Sequence, residues 1–398
     1  MSFLDSPRRL RWRAFVFRIH LWLGLTLGAA MAIVALTGSI IMFRYELNRL
    51  TVPGTAYVTP QAERLSLDEL TGIVRANRQR DKFVQASWEA GPGSAWNFRT
   101  QSREGHRIHT FIDQYTGRIT GQEDYQHKLM QWFYDLHATL LSGNTGRTIN
   151  GFVALITAIM AIAGLVLWWP GRGNWRFGFR YLRGARWPRQ NYDLHKITGF
   201  YSSVALLFIA FTAAYFSFPD LYKRALTAVT GTTVSLDPPH AKTRWSNRQV
   251  PLEEFLRAAE ASQPGAHAIS FSFPQKTGEP VTVRLKENRD WHRIGLNFVY
   301  LEPSDARVIR SDRFEDQPLA TKFALLMSPF HFGRFGGRLG EFAFYAVMVI
   351  YTIVGCAPAV LFATGALMYW NRSLSKRRKP APVFPSPRVP GTELAAKR

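Results

Sequence analysis

The chain has 398 residues, 46% of them hydrophobic, and a formal net charge of +22. Its single cysteine excludes a disulfide within the chain and leaves too few thiols for an iron–sulfur cluster. The mean hydropathy of −0.12 is too low for a chain wholly buried in lipid, so polar domains must separate any membrane spans. A strongly basic chain is also typical of nucleic-acid binding. Here the basic residues flank apolar segments and form no single patch, so we expect no nucleic-acid partner.

Four uncharged segments have the length of membrane spans. They are residues 19–43, 148–171, 197–219 and 342–371. Each reaches the roughly 20 residues needed to cross a hydrocarbon core of about 30 Å. The first is too long for the apolar region of a signal peptide and lacks a small-residue cleavage pattern. The sequence therefore predicts an α-helical protein with four spans, all of which remain in the lipid bilayer.

Basic residues gather in three segments beside these spans, 1–18, 170–190 and 371–398. The positive-inside rule places such segments in the cytoplasm. We therefore expect both termini in the cytoplasm, both long inserts in the periplasm, and a multi-pass protein of the bacterial inner membrane.

The predicted order is a cytoplasmic N-terminus (1–18), span one (19–44), a first periplasmic domain (45–125), an interfacial helix with span two (126–170), a basic cytoplasmic loop (171–192), span three (193–219), a second periplasmic domain (220–318), an interfacial helix with span four (319–371), and a basic cytoplasmic tail (372–398).

The second half of the chain repeats the pattern of the first. In spans one and three, a histidine is followed by a glycine after four residues and by a threonine after 17. These residues are His20, Gly24 and Thr37, and His195, Gly199 and Thr212. Each insert begins with an amphipathic helix that carries acids in its first turn. Strand-like segments follow at 96–98 and 109–113, and at 269–273, 281–285 and 296–301. The pattern predicts an internal two-fold repeat of span, small α+β domain and span, about an axis along the membrane normal.

One histidine lies near the end of each predicted span: His20, His137, His195 and His331. A histidine at a membrane span costs free energy unless it has a partner, and neutral imidazole is the commonest metal ligand. The repeat and the topology place His20 opposite His195 at the cytoplasmic face, and His137 opposite His331 at the periplasmic face. Two opposed imidazoles suit the axial positions of haem iron. No Cys-x-x-Cys-His motif is present, so we predict two haems of b type per chain.

Each of these histidines taken alone is equally consistent with an ordinary hydrogen-bonded interfacial residue. His127 has no counterpart in the second half and is not predicted as a ligand. Five further histidines lie in the inserts without metal-site spacing, and we expect them at the surface. They are His106, His109, His240, His267 and His292.

The periplasmic pair is predicted to lie on short interfacial helices, around 126–141 and 319–332, because glycines separate each histidine from its span. Several basic residues are candidates for pairing with haem propionates. They are Arg147, Arg334 and Arg338 on the periplasmic side, and Arg18 and Lys196 on the cytoplasmic side. The alternative for these residues is contact with lipid phosphates.

The order of motifs from about residue 12 to 373 resembles the PepSY-associated transmembrane family, often described as iron-regulated membrane proteins. The matching residues are His20 with Gly24, Leu36-Thr37-Gly38, the acidic helix start Leu67-Asp68-Glu69-Leu70, Asp113 with Thr116-Gly117, and Leu136-His137. The second half departs from the pattern at Phe211-Thr212-Ala213 and at Asp305-Ala306. The resemblance implies that both inserts are PepSY-like α+β domains.

Four-span members of that family are similar to inner-membrane ferric-siderophore reductases. The resemblance therefore implies haem iron bound by His20, His137, His195 and His331, and a ferric siderophore as electron acceptor in the periplasm. We expect this acceptor to dock between the two PepSY-like domains. We expect a cytoplasmic or quinol electron donor. Other family members are fused to a flavin reductase domain, but no glycine-rich nucleotide motif occurs in the cytoplasmic segments here. The alternatives are a haem-free PepSY protein that binds or regulates a peptidase, and a protein of siderophore or iron transport.

Overall fold

The computed structural model describes residues 3–7, 10–44, 46–47, 53–88, 91–124, 128–288, 290, 295–336 and 339–377. Its helices are α1 (Arg11–Ile41), α2 (Pro53–Ala56), α3 (Leu67–Asn77), α4 (Leu129–Thr139), α5 (Gly143–Trp168), α6 (Trp187–Ser217), α7 (Pro219–Thr230), α8 (Leu252–Ser262), α9 (Leu319–His331) and α10 (Glu341–Arg377). Its strands are β1 (Lys82–Ser87), β2 (Trp96–Gln101), β3 (Arg107–Ile112), β4 (Ile119–Asp124), β5 (Ala266–Ser272), β6 (Val281–Glu287), β7 (Asn297–Leu301) and β8 (Val308–Asp312). Short 3-10 helices cover Arg172–Phe179, Trp245–Asn247 and Phe314–Asp316.

Helices α1, α5, α6 and α10 are long and apolar enough to cross a membrane. They correspond to the four predicted spans. Helix α1 starts at Arg11 and α6 at Trp187, several residues before the uncharged runs begin. The helices extend into the basic segments because charged side chains at a helix end can reach the headgroup region.

The four membrane helices pack as a closed bundle. Helix α1 lies against α5 and α10, and α6 lies against the same two helices from the other side. Small residues allow the closest approaches. Ser39 of α1 donates its hydroxyl to the Thr352 carbonyl of α10 at 3.1 Å, and Gly355 leaves no space there for a side chain. Ala154 of α5 packs on Ala214 of α6 in the same manner. Such small-residue contacts are typical of helix packing in membranes.

The basic segments meet at the end of the bundle away from the sheet. Arg13 Nη1 donates to the carbonyl of Trp169 at 3.0 Å, at the C-terminal end of α5. The Arg172 backbone N–H donates to the Leu4 carbonyl at 2.8 Å. Lys196 donates to the Arg180 carbonyl at 3.0 Å. The Arg13 guanidinium thus satisfies a carbonyl group that the C-terminal end of α5 leaves without a helical partner.

The two inserts share one antiparallel sheet of eight strands, in the order β4-β3-β2-β1-β5-β6-β7-β8. The first insert supplies β1 to β4, the second supplies β5 to β8, and β1 pairs with β5 through Ala86 and Phe271. Helices α3 and α8 cover one face, where residues of both inserts, such as Phe98 and Phe255, form one hydrophobic core. The boundary between the inserts is therefore filled. The two predicted domains thus form one sheet with a shared core, and docking of a ferric chelate between them stays a prediction.

Helices α3 and α8 cap each other at their N-termini. Asp68 of α3 accepts from the Leu252 N–H of α8 at 2.6 Å, and Glu253 of α8 accepts from the Leu67 N–H of α3 at 3.0 Å. Carboxylates at these positions satisfy N–H groups that have no partner within the helix, and the helix dipole favours their charge. This exchange joins the two inserts at the helix layer, as β1 and β5 join them in the sheet.

We expect the substitution Asp68→Ala to lower the free energy of unfolding by about 1 kcal/mol, the usual cost of losing a helix cap. The change leaves the Leu252 N–H of α8 without its acceptor. Thermal unfolding of the detergent-solubilised protein, followed by circular dichroism, measures the effect. The control is Glu63→Ala, which removes an exposed acid before α3. Equal melting temperatures for the two variants would contradict the capping role.

Candidate functional site

The four predicted histidines form two pairs. The ring centres of His20 and His195 are 6.4 Å apart with perpendicular planes, 89°. Those of His137 and His331 are 6.1 Å apart at 28°. The structure therefore brings together the residues that the sequence analysis expected to oppose each other, and each pair takes one histidine from each half of the chain.

The separation of the rings fits a shared metal ion. An imidazole nitrogen binds a transition metal at about 2.0–2.1 Å and lies about 1.2 Å from its own ring centre, so two rings facing each other across one ion have centres about 6.5 Å apart. Aromatic rings in direct contact show a similar range of about 4.5–7 Å. The assignment consequently depends on where the ring nitrogens find their partners.

The two pairs lie at different depths in the bundle. The inner pair consists of His20 on α1 and His195 on α6, and the outer pair of His137 on α4 and His331 on α9. His137 contacts the backbone of Val34, which is 14 residues after His20 on α1. At a rise of about 1.5 Å per residue, this spacing puts the pairs about 21 Å apart along the helix. Both therefore fit within the thickness of one bilayer, near its opposite faces.

The Nδ1 atoms of the outer pair face acceptors on the membrane helices. His137 Nδ1 is 2.8 Å from the Val34 carbonyl of α1. His331 Nδ1 is 3.3 Å from the Thr212 hydroxyl, and the Ile209 carbonyl of α6 lies beside it. A nitrogen that faces a carbonyl carries the proton, which leaves the lone pair on Nε2. This is the arrangement in which proteins present a histidine to a metal.

In the inner pair, His195 follows the same rule. His195 Nδ1 is 2.9 Å from the Thr364 hydroxyl of α10, and the Leu361 carbonyl is adjacent. The Met160 carbonyl of α5 lies beside His20, whose buried Nδ1 makes no full hydrogen bond. Met160 and Leu361 stand four residues before Gly164 and Gly365, so they occupy matching positions in the two halves.

Thr364 fixes the direction of the hydrogen bond to His195. Its hydroxyl donates to the Val360 carbonyl at 2.6 Å, so the oxygen accepts from His195 Nδ1–H. The buried Asn191 in turn donates to the Thr364 carbonyl at 2.9 Å. The first half has Ala163 at the place of Thr364, so only His195 has this anchor. Sequence reasoning missed Thr364; its signal was a hydroxyl directly before Gly365 in an otherwise apolar run.

A cavity of about 680 Å³ adjoins the inner pair and is lined by residues of all four membrane helices. Protein sites for cofactors and other small molecules have volumes of about 300–1,000 Å³. Glycines make part of this space. Gly164 and Gly365 lie against the rings of His20 and His195, where an added Cβ would be 3.6 and 3.5 Å from the ring atoms. The cavity is therefore large enough for a flat macrocycle beside two imidazoles.

The predicted partners of the haem propionates occupy different surroundings. Lys196 lines the cavity but also bonds Asp193 at 3.0 Å. Arg147 is exposed at the start of α5, and Arg334 lies 3.7 Å from Glu46. Arg18 is exposed. Arg338, like His127 and His292, is outside the described residues.

Two cavity cations were absent from the predictions. They are Arg13 and Arg372, near the ends of α1 and α10. In the sequence they resemble the other arginines of the basic segments. Only the packing of the helices shows that these two line the cavity.

The described part of the chain contains no group of three or more His, Cys, Asp or Glu side chains suited to a metal ion. Each histidine pair therefore offers two protein ligands, and the remaining positions of an ion between the rings need a non-protein ligand. A porphyrin supplies four nitrogens in one plane and leaves two axial positions.

A comparison with protein families supports the relation expected from the motifs. The family model described as "PepSY-associated TM region" matches residues 17–372, which include both histidine pairs and the whole sheet. No curated protein matches the chain. The chain belongs to the PepSY-associated transmembrane family.

Proposed function

We propose that the protein is a haem-containing oxidoreductase of the inner membrane that passes electrons to a ferric siderophore in the periplasm, which releases ferrous iron. The observation that carries this proposal is the pair of opposed imidazoles at each end of the bundle. In three of the four, His137, His195 and His331, Nδ1 faces a helix carbonyl or hydroxyl, which leaves Nε2 for a metal.

The residues present fit b-type haem. His20 and His195 would hold one group and His137 and His331 a second, which makes two per chain. The cavity and its glycines give room beside the inner pair. Arg13 and Arg372 join Lys196 as cations for the inner propionates, and Arg147, Arg334 and Arg338 remain the candidates outside. When bound, haem iron supplies one-electron chemistry.

The chain's own contribution is positioning. Helix carbonyls and the hydroxyls of Thr364 and Thr212 hold the Nδ1 protons of His137, His195 and His331 and orient these rings, which also raises the basicity of Nε2. The apolar membrane helices surround the inner pair. The outer pair lies on α4 and α9, next to the sheet, where a periplasmic acceptor has access. The donor, a cytoplasmic protein or a quinol, would act at the inner pair.

The proposed topology follows from the gathering of basic segments at one end of the bundle and of the sheet at the other. Basic segments are retained in the cytoplasm. Both termini are then cytoplasmic, and the sheet with its two PepSY-like parts is periplasmic. The matching positions of Val34 and Ile209, and of Met160 and Leu361, support an internal two-fold repeat along the membrane normal.

We expect the purified protein to carry two haems per chain, and any one of the substitutions His20→Ala, His195→Ala, His137→Ala and His331→Ala to remove one of them. Each substitution takes away one of the two histidines that would hold a haem. The pyridine haemochromogen assay against protein concentration measures the count. The control is His267→Ala, which changes an exposed histidine of the sheet and should keep both haems.

The same measurement separates the proposal from its alternatives. A peptidase-binding PepSY protein or a transport protein would be folded and colourless. A protein that is fully folded without a Soret band would end the haem proposal. Retention of two haems by all four variants would show that the pairing is wrong.

We expect Thr364→Val to raise the midpoint potential of one haem component and to weaken its retention on the order of 10-fold, the usual size of an effect from a partner of a metal-bound histidine. Valine keeps the shape and removes the acceptor of His195 Nδ1–H, so Nε2 becomes a weaker donor. Potentiometric titration followed by absorption measures the shift.

Thr364→Ser restores the hydroxyl and should restore the potential, which a purely packing role would not require. The matched position in the first half gives a second control, since Ala163→Ser adds a hydroxyl beside His20. Identical potentials in the wild-type protein and the valine variant would contradict the positioning role of Thr364.

A further inference from the structure

Helix α7 begins where a membrane helix ends. Helix α6 ends at Ser217 and α7 starts at Pro219. Ser217 is 20 residues after the start of the uncharged segment at residue 197, which is about 30 Å along a helix. A hydrocarbon core is also about 30 Å thick. Helix α7 therefore starts at the boundary between hydrocarbon and lipid headgroups, at the end of the bundle that holds the outer pair.

One side of α7 packs against the bundle through Tyr222. The Tyr222 hydroxyl donates to the Phe211 carbonyl of α6 at 2.7 Å. Its ring centre is 5.0 Å from that of Phe211 and 5.8 Å from that of Tyr215. Tyr222 also forms a buried cluster with Ala214 of α6 and Ala154 of α5. Because the Phe211 side chain is exposed on the outside of α6, α7 lies beside the outward surface of the bundle.

The outward side of α6 carries an apolar stripe. Tyr201, Val204, Phe208 and Phe211 follow one another at intervals of three or four residues, and all are exposed. Residues at this spacing share one side of a helix. Because α6 is long and apolar enough to cross a membrane, this side is the one that meets acyl chains. The stripe leads directly to α7, since the ring of Phe211 contacts that of Tyr222.

Exposed apolar residues on α7 continue this surface. Leu221, Ala225 and Val229 are four residues apart along the helix and exposed, Leu221 by 61% and Val229 by 86%. We call these three residues the α7 stripe. At about 100° per residue, the α7 stripe lies next to the side that Tyr222 turns to the bundle. An exposed apolar surface of this kind marks contact with lipid or with another protein.

The charged residues of α7 lie at the other edge of the α7 stripe. Asp220 and Arg224 are exposed and are one helical turn apart. Helix α7 thus has a side on the bundle, an apolar side next to it, and a charged side beyond. A helix that lies in a membrane interface shows this division, with its apolar side at the acyl chains and its charges at the headgroups.

The segment after α7 holds α9, the helix that carries His331. The Thr232 hydroxyl accepts from the Ala320 N–H at 3.1 Å, and the Thr321 hydroxyl accepts from the Ser235 N–H at 3.0 Å. Ala320 and Thr321 belong to the first turn of α9, where backbone N–H groups have no partner within the helix. Helix α7 therefore connects an outward apolar surface to the helix of the outer pair.

We propose that α7 is an anchor in the plane of the membrane, and that phospholipid is the partner of the α7 stripe. Leu221, Ala225 and Val229 insert among the acyl chains of the leaflet near the outer pair, and Arg224 meets the phosphate groups of the same lipids. Lipid is the partner because the α7 stripe continues the outward side of α6, starts at the depth of the headgroups and has a charged edge. The inference needs no haem and is independent of the proposed function.

The test attaches a nitroxide label at single positions of the full-length protein in phospholipid nanodiscs. Cys356→Ala first removes the one native cysteine. Power saturation of the electron paramagnetic resonance signal measures collisions of each label. We expect labels on Leu221→Cys and Val229→Cys to collide more with oxygen, which dissolves in acyl chains, than with a water-soluble nickel chelate. The label on Asp220→Cys, the next position of the same helix, should show the reverse preference.

Two further positions calibrate the measurement. Val204→Cys, on the outward side of α6, gives the preference of a label in lipid, and Arg257→Cys, on the exposed side of α8, gives that of a label in water. Val229→Cys should match Val204→Cys. A match to Arg257→Cys would overturn the inference, because the α7 stripe would then lie in water. Protection from both reagents would also overturn it, since a second copy of the chain would then cover the stripe. Leu221→Cys repeats the measurement if Val229→Cys lowers the melting temperature.

Discussion

The hydrogen bonds at histidine Nδ1 are the constraint on which the rest of the structure depends. In lipid, a polar side chain without a partner is costly, and a helix carbonyl is already used by its own helix. His137 and His331 nevertheless contact the backbones of α1 and α6 at Val34 and Ile209. These contacts join the short helices α4 and α9 to the membrane helices of their own halves. The rings of the two halves then lie opposite each other, so the same bonds shape the bundle and the histidine pairs.

The sheet supplies the complementary constraint between the halves. Each histidine pair has one member from each half, so its geometry requires the halves to keep a fixed relation. The pairing of β1 with β5 and the exchange of caps by Asp68 and Glu253 provide that relation outside the membrane. Close contacts such as Ser39 with Thr352 provide it inside. The two PepSY-like parts therefore form one unit that holds the two halves of the chain together outside the membrane. Separate domains had been expected.

Sequence patterns predicted the features that depend on spacing and composition. The four spans were predicted from the length of the uncharged segments. The two histidine pairs were predicted from the repeat that relates His20 to His195, together with the orientation that the basic segments indicate. Strands β1, β4 and β8 were missed, because a strand at the junction of the two inserts or at an edge of the sheet need not alternate clearly. β1 also has an irregular register between Phe83 and Gln85, which breaks its period. Thr364 was missed because its role exists only once α6 and α10 are packed together.

The net charge of +22 has two separate physical sources. The positive-inside rule accounts for the basic segments beside the spans, but it does not explain the cations on a sheet at the opposite end of the bundle. On that sheet the acids collect on α3 and α8, and arginines such as Arg99 and Arg284 collect on the other face. The acids of α3 and α8 and the cations of the opposite face therefore form a second charge asymmetry, separate from that of the basic segments beside the spans.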